Sequence, residues 1–312
     1  MAYSLKSGES VREGIIRIGI DQLDRAIREL TDEHLSLPEQ VHQARKRFKK
    51  IRGLLRLVRP AMEDTYSREN AWFRDAGREL ATVRDAEVAV KTVAKLEERF
   101  RDQIGSATLT HVKIRLQHQR NEISPAADDL LQQAAHLAHR LTNARGRVSE
   151  WTLSAEGFDA IGPGLKKTYK RARKCLGKAL KNATPAALHE LRKRIKYHGY
   201  HLRLLRRVWP SLMKGFRRAA KQVARLLGDD HDLVVLEEAV CRAPQLNADQ
   251  HGVEVLKALI AQHQQRLRGE AFAVARRLLA EKPKRFRDRL GAYWETWQAG
   301  TQGITNAPAD PA

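Results

Sequence analysis

The stretch Val41–Pro60, VHQARKRFKKIRGLLRLVRP, recurs in outline 147 residues on as Leu188–Pro210, LHELRKRIKYHGYHLRLLRRVWP. His42 aligns with His189, Arg45 with Arg192 and Lys49 with Lys196, and each copy closes on a proline. Self-similarity at about half the chain length means two copies of one structural unit. The first copy holds eight Lys/Arg and no acid. At 100° per residue, His42, Arg45, Lys49, Arg52 and Arg56 fall within roughly 80° of one another on a helix. Ala44, Phe48, Ile51, Leu54, Leu55 and Val58 take the opposite side. One face is built for a core and the other is a line of cations headed by an imidazole.

The rest of the chain is helical in character, with Ala, Leu, Arg, Glu and Gln abundant and no alternating strand pattern. The expected helices begin with Ser10–Leu30, striped by Ile16, Ile20, Leu23, Ile27 and Leu30. A second runs from Pro38 to the residue before Pro60, a third covers about 66–101, and a fourth about 109–145 with a break at Pro125. Gly146–Gly164 is the internal boundary, with Gly157, Gly162, Pro163 and Gly164 close together in it. Helices then recur at 165–181, from Thr184-Pro185, at 211–242 with an interruption at Gly228, at 248–280 and at 283–298. FRDAGRELATVRDAEV in the first half matches FRRAAKQVARLLGDDHDLVVL in the second, pairing Phe73 with Phe216. Four helices per copy with short connections predict an all-α fold. It would comprise two four-helix bundles, residues 8–146 and 164–298, facing each other around a basic groove or pore, with a disordered tail at 299–312.

Partners are bounded by charge. With 58 Lys/Arg against 37 Asp/Glu, the chain carries +21, a self-repulsion that a polyanion relieves. Residues 166–225 hold 20 Lys/Arg and the single acid Glu190. A solvated face mixes signs, so this run favours a polyanion site over a bare surface. No apolar signal core or membrane-spanning run stands in the sequence, and its two cysteines lack a disulfide or zinc pattern. The expectation is a cytoplasmic protein.

The duplicated His-x-x-Arg-x-x-x-Lys helices, VHQARKRFKKIR and LHELRKRIKYHGY, in a basic all-helical chain resemble the CHAD family, the conserved histidine α-helical domain. The resemblance covers about residues 8–298 as one domain. It implies a polyphosphate-binding module, in some members targeted to polyphosphate granules, with the anion in a basic groove or pore between two bundles. Carried over by residue, the contacts are His42, Arg45, Lys49 and Arg52 in the first half and His189, Arg192 and Lys196 in the second. Arg56 and Arg203 extend the two stripes. Gly199 stands where Arg52 would have its partner, with Tyr200 beside it. On the preceding helices, Lys166, Lys170 and Arg173 face Arg17, Asp21 and Asp24 in the alignment, which makes the expected groove asymmetric.

These residue types suit that ligand. Arg offers a planar fork to phosphate oxygens and Lys a compact charge. Helical steps of three and four place cations about 5–6 Å apart. A polyanion raises a neighbouring histidine's pKa, so binding should tighten as pH falls toward about 6.

Two other functions stay open. A DNA- or RNA-binding protein would use the same charge on a nucleic acid backbone, though aromatic residues are only 6% and no stacking row accompanies the basic helices. A metal-dependent phosphohydrolase would need an acidic cluster, for which only DDHD, Asp229–Asp232, offers itself. A turn and helix cap explains that sequence as well. His198 and His201 form an H-x-x-H pair, but their apolar neighbours Leu191, Ile195, Leu202 and Leu205 point to a core role rather than a metal site. Trp209, Phe216, Trp294 and Trp297 are expected to pack. No P-loop, nucleophile elbow or triad appears, so neither a cofactor nor catalysis is expected.

Overall fold

A computed structural model describes residues 3–80, 127–241 and 250–305, and these form nine α-helices and one 3-10 turn. The helices are α1 (Val11–Leu30), α2 (Leu37–Val58), α3 (Glu63–Glu79), α4 (Ala127–Ser149) and α5 (Gly157–Lys181). They continue with α6 (Pro185–Leu204), α7 (Pro210–Cys241), α8 (Gln250–Leu278) and α9 (Pro283–Thr305). Among the described residues there is no strand, and no helix is long and apolar enough to cross a membrane.

Local chemistry sets several starts. Ser10 and Glu13 form a reciprocal capping box at α1, joining side chain and backbone in both directions. At α2 the Glu39 carboxylate accepts from the Ser36 backbone N–H at 3.1 Å, and Pro38 sits in the first turn, where its missing N–H is harmless. Thr184 Oγ1 accepts from the Ala187 N–H at 3.2 Å, with Pro185 beginning α6 as expected.

The first half packs α1 on α2 and α4, and α2 on α3. The second packs α6 on α5 and α7, and α8 on α7, with α9 added against α5. The halves join where α2 lies on α5 and α6. The apolar face of α2 is in the core as its periodicity predicts: Ala44, Phe48, Ile51, Leu54, Leu55 and Val58 are all buried. Burying one such Leu or Phe contributes about 1.5–3 kcal/mol. In α1 the deepest side chains are Ile15, Ile18, Leu23 and Ala26, with Ile16, Ile20 and Ile27 on the flank. The stripe is wider and rotated from expectation because α1 meets α2, α4 and α5.

Glycines make the seam. The link between α4 and α5, residues 150–156, falls within the expected boundary, but α5 runs unbroken through Gly162, Pro163 and Gly164 at its end. A Cβ at Gly164 would lie 1.8 Å from the Leu57 carbonyl oxygen, so this glycine permits a close helix crossing rather than a chain break. At Gly53 a Cβ would lie 2.9 Å from the Tyr200 ring. The Gly53 carbonyl is 3.0 Å from His201 Nε2. The N-terminal segment ties across the same seam, with Leu5 N–H donating to the Leu204 carbonyl at 2.9 Å and the Tyr3 hydroxyl to the Lys50 carbonyl at 2.8 Å.

Other boundaries also move. α7 passes through Gly228 and the DDHD sequence without a turn, and α9 continues to Thr305, into the segment expected to be disordered. Pro125, residues 81–101 of the expected third helix and residues 109–126 of the expected fourth lie outside the described residues.

Candidate polyanion site

α2 and α6 are the two copies of the repeated helix, and they pack against each other across the seam. Between them lies a cleft of about 190 Å³. α2 contributes Lys49 and Arg52; α6 contributes His189, Arg192, Lys193 and Lys196, with Tyr197 and Tyr200 completing the wall. Cations from the two copies therefore share one cavity, and no carboxylate is among its lining residues. Glu190 stands nearby and pairs with Lys193 and, at 3.0 Å, with Arg194.

The arginines are held by backbone. Arg45 donates to the Leu80 carbonyl at 2.9 Å, linking α2 to the end of α3. Arg192 donates through Nε to the Ala224 carbonyl at 3.2 Å, linking α6 to α7. Gly228 makes room for that guanidinium: a Cβ there would lie 2.8 Å from Arg192 Nη2. Equivalent arginines thus make closely similar bonds in the two halves, each to the helix that follows. Arg52 reaches α3, donating to Asn70 Oδ1 at 3.3 Å. His189 is pushed below the ordinary histidine pKa by burial first, then by His231, Arg192 and Lys193. The His231 ring meets it edge-on at 5.4 Å.

Lys196 and Tyr200 also line a second, larger space that continues along α6 and α7, with a volume of about 750 Å³. Ile195, Gly199, Ala220 and Ala224 lie in it at the junction of the two helices. α6 and the turn after it add Arg203, Arg206 and Arg207; α7 adds Lys214, Arg217, Arg218 and Lys221. Again no acid lines it. On the far side of Tyr197, a narrow crevice gathers Arg56, Arg59, Lys167, Arg171 and Arg194.

The structure brings together half of the fourteen sequence-predicted residues. Lys49, Arg52, His189, Arg192, Lys196 and Tyr200 share the cleft, and Arg203 lies in the continuing groove. His42 is exposed and, like Arg45, does not line the cleft. Arg56 stacks 4.0 Å over the Tyr197 ring, donates to the Arg52 carbonyl at 2.9 Å, and belongs to the crevice.

Arg17 is removed from the site altogether: both oxygens of Glu9 accept from it, at 2.8 and 2.6 Å, and the Ser4 carbonyl accepts at 3.1 Å. Lys166, Lys170 and Arg173 line none of these spaces, and Arg173 donates instead to the Glu281 carbonyl at 2.5 Å. α5 presents Lys167 and Arg171 to the crevice, one residue and hence about 100° around from the face expected. The groove cations from Arg206 to Lys221 were missed individually. Their signal was the acid-poor run 166–225.

The competing motifs have other employment. His198 and His201 are fully buried, and burial pushes both to about 3, so they are neutral core groups at neutral pH. Asp230 is buried against Arg268 at 2.6 Å, and Asp229 reaches Arg225 at 3.5 Å. Among the described residues no group of three His, Cys, Asp or Glu could hold a metal. Trp294 is buried and Phe216 partly so, whereas Trp209 stays 45% exposed while meeting Tyr293 edge-on at 4.8 Å.

Comparison with known proteins bears on this arrangement. The family model described as CHAD domain matches residues 15–241. Among solved structures, the CHAD domain from the plant Ricinus communis superposes with a TM-score of 0.61 at 18% identity, covering 90% of this chain and 95% of that one. PptA from Streptomyces chartreusis gives a TM-score of 0.61 at 12% identity, covering 86% of this chain and 99% of its own. These likenesses show the fold. A search of curated proteins returned no match.

Proposed function

The chain belongs to the CHAD domain family, and from that premise we propose that it binds inorganic polyphosphate, without turnover, in the cleft between α2 and α6. One observation carries the proposal: Lys49 and Arg52 from one repeat share a cavity with His189, Arg192 and Lys196 from the other, with no carboxylate lining it. Such a cavity favours density of negative charge over any particular base or sugar. The fixed arginines support binding because their orientation is set before the ligand arrives. The absence of turnover in this reading is supported by the commitments of Asp229 and Asp230 to arginines. In the cell the protein would act in the cytoplasm, at polyphosphate granules.

The test compares long-chain polyphosphate, duplex DNA and single-stranded RNA at matched salt, with phosphate release followed with and without Mg²⁺. Polyphosphate should displace both nucleic acids without release of phosphate. Its affinity should fall steeply with salt through counterion release. Replacing Arg192 and Lys196 together by Ala should remove most binding. Equal competition by all three polymers would leave only generic polyanion binding, and Mg²⁺-dependent release would refute the non-catalytic reading.

A further inference from the structure

The two halves differ at one position in a way that opens space. Ten residues beyond His42 stands Arg52; ten beyond His189 stands Gly199. In the first half, the Arg52 side chain bridges from α2 to Asn70 on α3. In the second, position 199 has no side chain to make such a bridge, and a Cβ there would stand 3.5 Å from Ala220 Cβ. The groove of about 750 Å³ lies there. Read from sequence, Gly199 weakens one wall by deleting a cation. In the structure it belongs to the floor of a second basic space.

We propose that this α6–α7 groove is a second binding compartment, continuous with the inter-half cleft, so that a single linear phosphate chain occupies both. The proposal rests on the polyphosphate reading and specifies the shape of ligand it requires. Continuity is given by Lys196 and Tyr200, which line both spaces. His189 in the cleft and Arg203 in the groove are fourteen positions apart on α6, about 21 Å along the helix axis at 1.5 Å per residue. A compact anion cannot reach both; an unbranched chain can.

Among the described residues, Arg206, Arg207, Lys214, Arg217, Arg218 and Lys221 form no ion pair with a carboxylate. Arg203 Nε is buried without a hydrogen-bond partner. Arg217 has its pKa lowered by burial and then by Arg203 and Arg206, cations pressing on one another in a space an anion would relieve.

The experiment measures tripolyphosphate and long-chain polyphosphate binding to the full chain over a salt series. Two variants are compared with wild type: Gly199→Arg, and the double variant Arg217→Glu/Arg218→Glu. The first fills the groove while adding positive charge, so charge alone predicts tighter binding and occlusion predicts weaker. The second keeps Gly199 and reverses the rim, which covers the case in which Gly199→Arg fails to fold. Circular dichroism checks the fold of each.

Wild type should favour the long chain per binding site by about tenfold or more, with a steeper salt slope. Both folded variants should lose most of that preference. An undiminished long-to-short ratio in the folded variants would overturn the second compartment while leaving the cleft intact. Failure of wild type to bind either polymer would overturn the polyphosphate reading and this proposal together.

Discussion

Lys50 allows a stability prediction that does not depend on any ligand. It lies on α2 beside the seam and is only 6% exposed. Its Nζ is 5.8 Å from the Tyr3 ring centroid, and its own carbonyl accepts from the Tyr3 hydroxyl. Burial, and then Arg47, Arg203, Lys46 and Arg25, pull its pKa from 10.5 down to about 7. An unfolded chain would keep the proton to roughly 10.4. Between those values the unfolded state binds more protons than the folded one, so stability attributable to Lys50 rises with pH. The cost is fully present below about pH 7 and fades as pH climbs toward the unfolded value. Full conversion of the drop would give about 5 kcal/mol at 1.36 kcal/mol per pKa unit. Relaxation of a real interior around a buried charge reduces this to about 2–3 kcal/mol. Lys50→Met keeps the length of the side chain without the charge. It should stabilise the ligand-free protein by that amount below the window, with the gain disappearing toward its top. Urea unfolding of both proteins below, within and near the top of the window, at constant ionic strength, measures the difference. A variant that is less stable at the low-pH end, or a gain that does not vary with pH, would refute the reasoning.

Three further outcomes follow from single contacts. Gly164→Ala should cost about 4 kcal/mol or more in chemical unfolding, because the new Cβ meets backbone rather than a movable side chain. Glu69 is fully buried and holds Arg147 at 3.1 Å, so Glu69→Gln should destabilise by about 2–4 kcal/mol, read as a lowered Tm. Because His189 is held below its ordinary pKa in the ligand-free protein, a bound polyanion should draw a proton onto it. Polyphosphate affinity should therefore rise as pH falls through the bound-state pKa and level off below the ligand-free one. His189→Gln should flatten that profile in a titration, and an identical slope in wild type and variant would count against the coupling.

The repeated helix was legible because its chemistry is two-sided: Phe48, Ile51 and Leu54 could only be core, and Lys49 and Arg52 could only be outside it. The helix starts at Ser10 and Thr184 were legible for the same local reason, side-chain oxygens placed to take backbone donors. What failed were inferences about distance across the fold. Gly164 and Gly228 read as interruptions, since glycine destabilises a helix interior by about 1 kcal/mol. Their use is set by a neighbour that no local pattern announces: the Leu57 carbonyl in one case and the Arg192 guanidinium in the other. The same limit displaced Lys166, Lys170 and Arg173. Choosing between adjacent positions on α5 requires knowing its rotation against α2 and α6, and the lysine-rich sequence looks alike from either face. Arg17 was lost to Glu9, whose loop position gave no hint of the pairing. Conversely, the acid-poor run from Lys166 to Arg225 did announce a cationic surface, without indicating that its later members would gather along α6 and α7.

The bond from Leu5 to Leu204 has a consequence in time. During synthesis the partner for residue 5 emerges only after some two hundred further residues have been made. Until then Tyr3, Leu5 and the seam face of α2 have nothing from α6 to cover them. Contacts this remote in sequence carry a large loop-closure cost and form late. The first four helices are thus obliged to wait, partly assembled, for the second half to arrive. A ribosome pause placed between residues 149 and 185 would prolong the stage at which this apolar seam is open to chaperones or to another nascent copy.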